Sequence, residues 1–193
     1  MRFDDFPGEP RNSDLAVYAR DATGGYLIAV EAKADESYGE TVAQTIEAAK
    51  ARLAVNPRSN GLSRVHQLEQ ALFRHGAAGA TDLRGLRYQL LTASAGALCE
   101  AERRGYSRAV LLIQEFITAK TSDDNHSRNT QDLLNFVKAL APGSASEVKS
   151  GELYGPFAVP GGRLLKVLPE LYVGKVTRNL RAAGALYLPE HRS

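Results

Sequence analysis

The alternation of apolar and polar residues predicts two adjacent β-strands near the start of the chain. Residues 26–33 form an apolar run that is entered from two glycines and ends in two charged residues. Residues 14–20 also alternate, and the polar segment 21–24 between the two runs is typical of a turn. We expect the two segments to pair as an antiparallel hairpin in a mixed central sheet.

The register of this hairpin places three charged side chains together. If the hairpin is symmetric about its turn, Arg20 lies opposite Gly25 and Asp14 lies opposite Glu31. Glu31 and Lys33 share a face because side chains alternate along a strand. Directly opposed Cβ atoms are roughly 5 Å apart, so the two carboxylates repel unless one is protonated or a cation lies between them.

A structural explanation of these charges is an ordinary sheet edge in which Lys33 neutralises Glu31. We favour a functional explanation, because apolar residues would serve stability better than three charges converging at the end of a buried strand.

The rest of the chain alternates helical and strand-like patterns. Helices are expected at about 40–55, 63–74 and 82–104, and from residue 129 or 130 to 140, with Ser63 and Asp82 as N-caps. The clearest later strand is 109–113, which the intervening helices should place parallel to the first buried strand. Small residues at 93–97 mark the helix 82–104 as the central one. These patterns predict an α/β (α+β) fold with helices flanking the mixed sheet.

Polar and proline-rich segments complete this prediction. Residues 118–130 are expected to form a loop, in which Asp123, Asp124 and His126 do not have the spacing of a standard metal site. Strand-like pieces near 153–159 and 171–176 are expected at sheet edges or in loops because prolines lie close to them. We therefore predict a single domain with a core at about 7–140 and a strand-like appendage at 141–193.

Composition narrows the class of protein without naming a function. The chain has 193 residues, of which 44% are hydrophobic, enough for one domain with a genuine core. The net charge of +2 permits nucleic-acid binding without requiring it, and one cysteine excludes an intrachain disulfide. No segment has the length and apolarity of a membrane span, and residues 1–5 do not resemble a signal peptide, so we expect a cytoplasmic protein.

The hairpin carries a family resemblance. An Asp at the start of one strand, followed by Glu-x-Lys on the next, resembles the PD-(D/E)xK nuclease superfamily, which has the restriction-endonuclease-like fold. Here the motif is Ser13-Asp14 and then Glu31-Ala32-Lys33, with Ser13 in the place of the usual proline. Residues 86–91 resemble the glutamine-bearing helix of several branches, and together with residues 30–39 they resemble uncharacterised bacterial members. The resemblance covers roughly residues 7–116.

The resemblance implies a metal-dependent phosphodiester hydrolase. Asp14 and Glu31 would hold Mg²⁺ or Mn²⁺ with the Ala32 carbonyl as a further ligand. Lys33 would orient or deprotonate the attacking water and stabilise the transition state. The substrate would be nucleic acid, with DNA favoured over RNA. Endonucleases that cut both strands commonly pair two sites, which would make the protein a homodimer.

Three further residues are candidates with ordinary alternatives. Gln89, and with it Arg87, would steady the substrate or a water molecule from the neighbouring helix, although an exposed helix face explains both equally well. Glu9 could supply the additional acid that many members of the superfamily carry before the first strand. It lies between Gly8 and Pro10, where a solvated loop is the structural alternative.

Other functional classes remain to be weighed against the nuclease. A non-catalytic nucleic-acid-binding or partner-binding module that retained the fold is favoured by the short N-terminal segment and the missing proline. An acyl- or phosphate-metabolising α/β enzyme has less support, because the sequence has no Gly-rich phosphate loop, no G-x-S-x-G motif and no Cys/His pair with catalytic spacing.

Overall fold

The computed structural model describes residues 13–73, 82–162, 165 and 167–181. These residues form five β-strands, four α-helices and one turn of 3-10 helix at Leu83–Gly85. In chain order the main elements are β1 (Leu15–Asp21), β2 (Gly24–Lys33), α1 (Val42–Val55), α2 (Gly61–Leu72), α3 (Tyr88–Arg103), β3 (Arg108–Ile117), α4 (Asp123–Leu140), β4 (Leu153–Phe157) and β5 (Glu170–Asn179).

The predicted hairpin is present and has the predicted register. Arg20 lies opposite Gly25, and the pairing continues to Leu15 opposite Val30. The connection is short because Asp21 Oδ1 accepts hydrogen bonds of 2.8 Å from both the backbone N–H and the hydroxyl of Thr23. Gly24 then takes a φ of +126°, a conformation that glycine adopts without strain. The turn therefore fixes which residues of β1 meet β2.

The five strands form one mixed sheet in the order β1-β2-β3-β5-β4. The inner strands β2, β3 and β5 are parallel, and β1 and β4 pair antiparallel at the two edges. Helix α3 packs against the inner strands, and its small residues 93–97 are all buried. The predicted mixed α/β fold, the parallel strand beside β2 and the central helix are confirmed.

Two predicted helix starts differ from the structure, and local capping explains the one before α3. Helix α3 begins at Tyr88 rather than at Asp82. Asp82 instead caps the 3-10 turn, where its Oδ1 accepts from the Arg84 N–H, and Arg87 follows in an extended conformation. Helix α2 begins at Gly61, two residues before the expected region around Ser63, and its N-cap residue Asn60 makes no side-chain capping hydrogen bond.

The expected loop at 118–130 was also wrong over most of its length. Helix α4 begins at Asp123, directly after Ser122, whose hydroxyl accepts from the Asn125 N–H. Asp123 and Asp124 occupy the first turn, where negative charge interacts favourably with the helix dipole. Because the first turn of this helix is polar, its sequence pattern resembles that of a loop.

The C-terminal segment contributes to the sheet rather than forming an appendage. Strand β5 lies between β3 and β4, so of these two C-terminal strands only β4 is at an edge of the sheet. Pro169 precedes β5 and so removes no hydrogen-bond donor from within it. No helix among the described residues is long and apolar enough to cross a membrane.

Candidate active site

Strand β2 carries two buried charges at its carboxyl end. Glu31 is 2% exposed and Lys33 is 6% exposed. Both share a face with the core residues Leu27 and Ala29, and this is the face against which α3 packs. Because a buried charge is costly without compensation, the groups around these two side chains determine what the site can do.

Gln89 is brought to Glu31, and its expected role in steadying the substrate or a water molecule remains a prediction. It lies in the first turn of α3, and its Nε2 donates a 2.8 Å hydrogen bond to Glu31 Oε2. The residues are 58 positions apart in sequence, so the contact depends on α3 crossing the sheet. The bond holds the Glu31 carboxylate in one orientation beneath the helix.

Asp14 lies at the same end of the hairpin, one residue before β1. The chain bends there, and the Asp14 N–H donates to the Val30 carbonyl at 3.1 Å. Asp14 Oδ2 accepts from the Ala32 N–H at 2.7 Å, so this carboxylate replaces a backbone carbonyl at the end of the ladder. Among the described residues, Asp14 Oδ1 accepts no hydrogen bond.

The Ala32 carbonyl is directed towards the same edge as Asp14. The N–H and C=O of one residue point to the same side of a strand, and the Ala32 N–H points at Asp14. Asp14, Ala32 and Glu31 therefore supply two carboxylates and one carbonyl at neighbouring positions. That the two carboxylates reach one cation remains a prediction.

The Lys33 ammonium group has a partner other than Glu31. Its Nζ lies 3.9 Å from Glu36 Oε1 and 5.5 Å from the centre of the Tyr38 ring. Partial burial by itself would raise the pKa of Glu36. Backbone N–H groups of Glu36, Ala34 and Asp35, together with the charge of Lys33, outweigh burial and hold that pKa below its usual value. Lys33 is thus near an anion but is not locked into a short ion pair.

Tyr38 is buried among the acids of the site. Burial raises the pKa of its hydroxyl, and the nearby charges of Glu115, Asp132 and Glu31 raise it further. The phenol therefore stays neutral throughout the physiological range. Its ring lies beside Lys33 and shields that ammonium group from water.

Arg87 is held by protein groups. Its Nε donates to Asp132 Oδ2 at 2.8 Å, and its Nη1 donates to the Gly39 carbonyl at 2.7 Å. These bonds join the start of α3 to α4 and to the loop before α1, which explains Arg87 as a structural residue. Its expected role in substrate binding remains a prediction. Glu9 lies outside the described residues.

A second set of buried charges, which the sequence analysis missed, lies beside Lys33. Glu115 of β3 is the register partner of Lys33, and strand neighbours are about 4.8 Å apart. Glu115 Oε2 lies 3.0 Å from Lys175 Nζ of β5, and Glu115 Oε1 lies 3.0 Å from His126 Nδ1 of α4. The His126 contact has hydrogen-bond length but not hydrogen-bond direction.

The alternation of buried and exposed positions along β3 and β5 is a sequence signal for two members of this set. Glu115 continues the buried series of Leu111 and Ile113, and Lys175 continues that of Leu171 and Val173. The strand predicted at 109–113 stopped two residues too early, so Glu115 was not recognised as one of its buried residues. Active sites of parallel sheets commonly lie at the carboxyl ends of the strands, which is where both charges are found.

The donor set at β2 suits one kind of metal. Among the described residues, no group of three or more His, Cys, Asp and Glu side chains is placed to hold a metal ion. Mg²⁺ needs fewer protein ligands, since it keeps several waters and takes one or two carboxylates together with substrate phosphate. Two carboxylates and a carbonyl, all hard oxygen donors, fit Mg²⁺ or Mn²⁺ and do not fit a thiol- or imidazole-bound metal.

Comparison with known proteins gives a family but no function. No curated protein matches the chain, and no solved structure matches it. One family model matches residues 1–179, a span that contains every described strand and helix. The chain belongs to that family, which is described as a domain of unknown function, DUF6946.

Proposed function

We propose that this protein is a metal-dependent phosphodiester hydrolase that acts on nucleic acid. The observation that carries the proposal is the burial of Glu31 and Lys33 on one face of β2, with Gln89 hydrogen-bonded to Glu31. The resemblance of Asp14 and Glu31-Ala32-Lys33 to the PD-(D/E)xK motif supports it. The cytoplasmic location and the homodimer expected from the sequence belong to the same proposal.

Each residue of the site has a defined task under this proposal. The Asp14 and Glu31 carboxylates and the Ala32 carbonyl would hold Mg²⁺, which when bound activates water and offsets negative charge on the phosphate. Gln89 keeps the Glu31 carboxylate oriented, as hydrogen-bond partners of metal ligands commonly do. Lys33 presents a buried ammonium group that can orient the attacking water and donate to a developing oxyanion.

A binding module without activity is the second candidate, and one observation favours it. Asp14 Oδ2 is already bonded to the Ala32 N–H, so this carboxylate has a role in closing the sheet edge that needs no metal. In that case the charges of Asp14 and Glu31 would stabilise the hairpin, and nucleic acid or a partner protein would bind elsewhere on the chain.

The two candidates are separated by a cleavage assay with a matched pair of variants. Single- and double-stranded DNA and RNA are incubated with the protein in Mg²⁺, Mn²⁺ or a chelator. Glu31→Gln keeps the shape of the side chain and removes its charge, and we expect the rate to fall by about 100-fold or more. Glu47→Gln is the control, because Glu47 is exposed and pairs with Lys50 on α1.

The outcomes discriminate clearly. Metal-dependent cleavage that Glu31→Gln abolishes and Glu47→Gln preserves supports the hydrolase. Wild-type protein that binds nucleic acid in a gel-shift assay but cleaves none of the four substrates supports the binding module. Cleavage that both variants retain would remove Glu31 from the mechanism.

A further inference from the structure

A pocket that no β2 residue lines lies beside the β2 site, at the carboxyl ends of β3 and β5. Its volume is about 610 Å³. Helix α4 and residues 146–148 form its other walls, with apolar side chains from Ile117, Leu134 and Val148. Buried polar and charged groups also line it, namely those of Glu115, His126 and Lys175.

The hydrogen bonds of this pocket leave its ammonium group incomplete. Glu115 Oε2 accepts from the Thr177 hydroxyl at 3.2 Å and forms an ion pair at 3.0 Å with Lys175 Nζ, while Oε1 faces His126. An ammonium group has three N–H donors. Lys175 donates one to Thr130 Oγ1 at 2.6 Å. Among the described residues, this is the only hydrogen bond that the ammonium group donates.

Each carboxylate of the pocket is paired with a lysine. Lys175 offsets the charge of Glu115, and Glu147 is paired at 2.7 Å with Lys149, so neither carboxylate is left without a cation to repel an anion. Burying ionic groups is commonly less stabilising than packing apolar side chains of similar size. The buried ion pair of Glu115 and Lys175 in the lining of an open pocket therefore points to a ligand rather than to stability.

We propose that this pocket binds a small organic anion through Lys175. A phosphate or carboxylate group would accept from an N–H of Lys175 that is not bonded to Thr130, and a compact ammonium group commonly binds phosphate in this way. Hydroxyls of Ser127 and Ser146 line the same space, and the apolar walls would hold the uncharged part of the ligand. The proposal does not depend on hydrolase activity at Glu31.

A pair of variants at the mouth of the pocket tests the charge of the ligand without disturbing the buried groups. Ser127 lines the pocket and is exposed on α4. Ser127→Glu and Ser127→Gln add side chains of nearly equal size, and only the first adds charge. Binding of inorganic phosphate, uridine monophosphate and benzoate is measured by isothermal titration calorimetry on the full chain. Phosphate probes and benzoate distinguish the two kinds of anionic group.

We expect at least one of these probes to bind the wild-type protein. Ser127→Glu should weaken that binding about five- to tenfold relative to Ser127→Gln, the scale of one added charge several ångströms away. Lys175→Met should abolish it, and circular dichroism shows whether that variant folds. The proposal is overturned if no probe binds folded wild-type protein at millimolar concentration, or if the two Ser127 variants bind equally well.

Discussion

The ammonium group of Lys33 lies 3.9 Å from the Glu36 carboxylate and beside the Tyr38 ring, on a side chain that is almost fully buried. This environment differs from a structural ion pair with Glu31, whose carboxylate accepts from Gln89. A purely structural Lys33 would therefore contribute little through Glu36, because that carboxylate is half exposed and the separation is long.

Replacing Lys33 by Met separates catalysis from stability. Met is similar in length and apolar, so we expect the free energy of unfolding to change by no more than about 1–2 kcal/mol. If Lys33 donates to the transition state, the cleavage rate should fall by about 100-fold or more while metal binding persists. Urea denaturation and the cleavage assay measure the two effects on the same preparation.

Lys50→Met is the matched control for this prediction. Lys50 is exposed on α1 and pairs with Glu47 at 2.8 Å, so its loss should leave the rate unchanged. A Lys33→Met protein that cleaves as fast as the wild type would exclude Lys33 from the mechanism, even if the hydrolase assignment stands.

Contacts between residues that are close in sequence could be predicted, and contacts between residues that are far apart in sequence could not. The shared face of Glu31 and Lys33 follows from strand alternation alone, because the two residues are two positions apart. Glu115, His126 and Lys175 meet from three separate elements. No local pattern states that β5 lies beside β3, so this cluster could not be assembled from the sequence.

At the scale of single elements, the N-terminus of α1 is fixed by a reciprocal cap. The Thr41 hydroxyl accepts from the Gln44 N–H, and the Gln44 side chain accepts from the Thr41 N–H. We expect Thr41→Ala to lower the free energy of unfolding by about 1 kcal/mol, the usual cost of losing such a cap. Thr41→Ser retains the hydroxyl and should cost less. Equal urea midpoints for the two variants would contradict the cap.

The loop between β2 and α1 is attached to the start of α4, and this attachment should depend on pH. Asp35 Oδ1 accepts from the Ser122 N–H at 2.6 Å, and this bond lowers the pKa of the Asp35 carboxyl below its usual value of 3.8. A carboxyl with a lowered folded-state pKa stabilises the protein above its unfolded-state pKa. That stabilisation is lost as the pH falls through the folded-state value.

Asp35→Asn tests this dependence. Asn can still accept from Ser122 but cannot titrate, so we expect the melting temperature of the variant to fall less steeply below about pH 4 than that of the wild type. At pH 7 the variant should be the less stable protein, because the charge-assisted bond is replaced by a neutral one. Melting curves that fall in parallel from pH 6 to pH 2.5 would exclude a contribution from Asp35.

Element existence was more predictable than element boundaries, and the reasons are local. The hairpin follows from alternation and a two-residue turn, and the buried α3 follows from its run of small residues. The starts of α3 and α4 were misplaced because Asp82 and Ser122 cap different turns from those that the apolar pattern suggests. Polar capping residues look alike in loops and in first helical turns.

At the scale of the whole molecule, the sheet gathers the carboxyl ends of three parallel strands under α3 and α4. The order β2-β3-β5 places Lys33 of β2 on one side of Glu115, and it places Lys175 of β5, which pairs with Glu115, on the other side. The fold class could be predicted because alternating strand and helix patterns permit few arrangements. The position of β5 could not be predicted, because the nearby prolines suggested an edge strand. Its pairing with β3, far away in sequence, also produces no local sequence pattern.

The measurement that tests the hydrolase account most directly is a crystal structure soaked in Mn²⁺ with anomalous data collected. The account predicts an anomalous peak between the Asp14 and Glu31 carboxylates, within ligand distance of the Ala32 carbonyl, because these oxygens form the only ligand set we assign to the metal. Well-ordered Asp14 and Glu31 side chains with no peak between them at saturating Mn²⁺ would contradict it. So would a peak found only at another place on the chain.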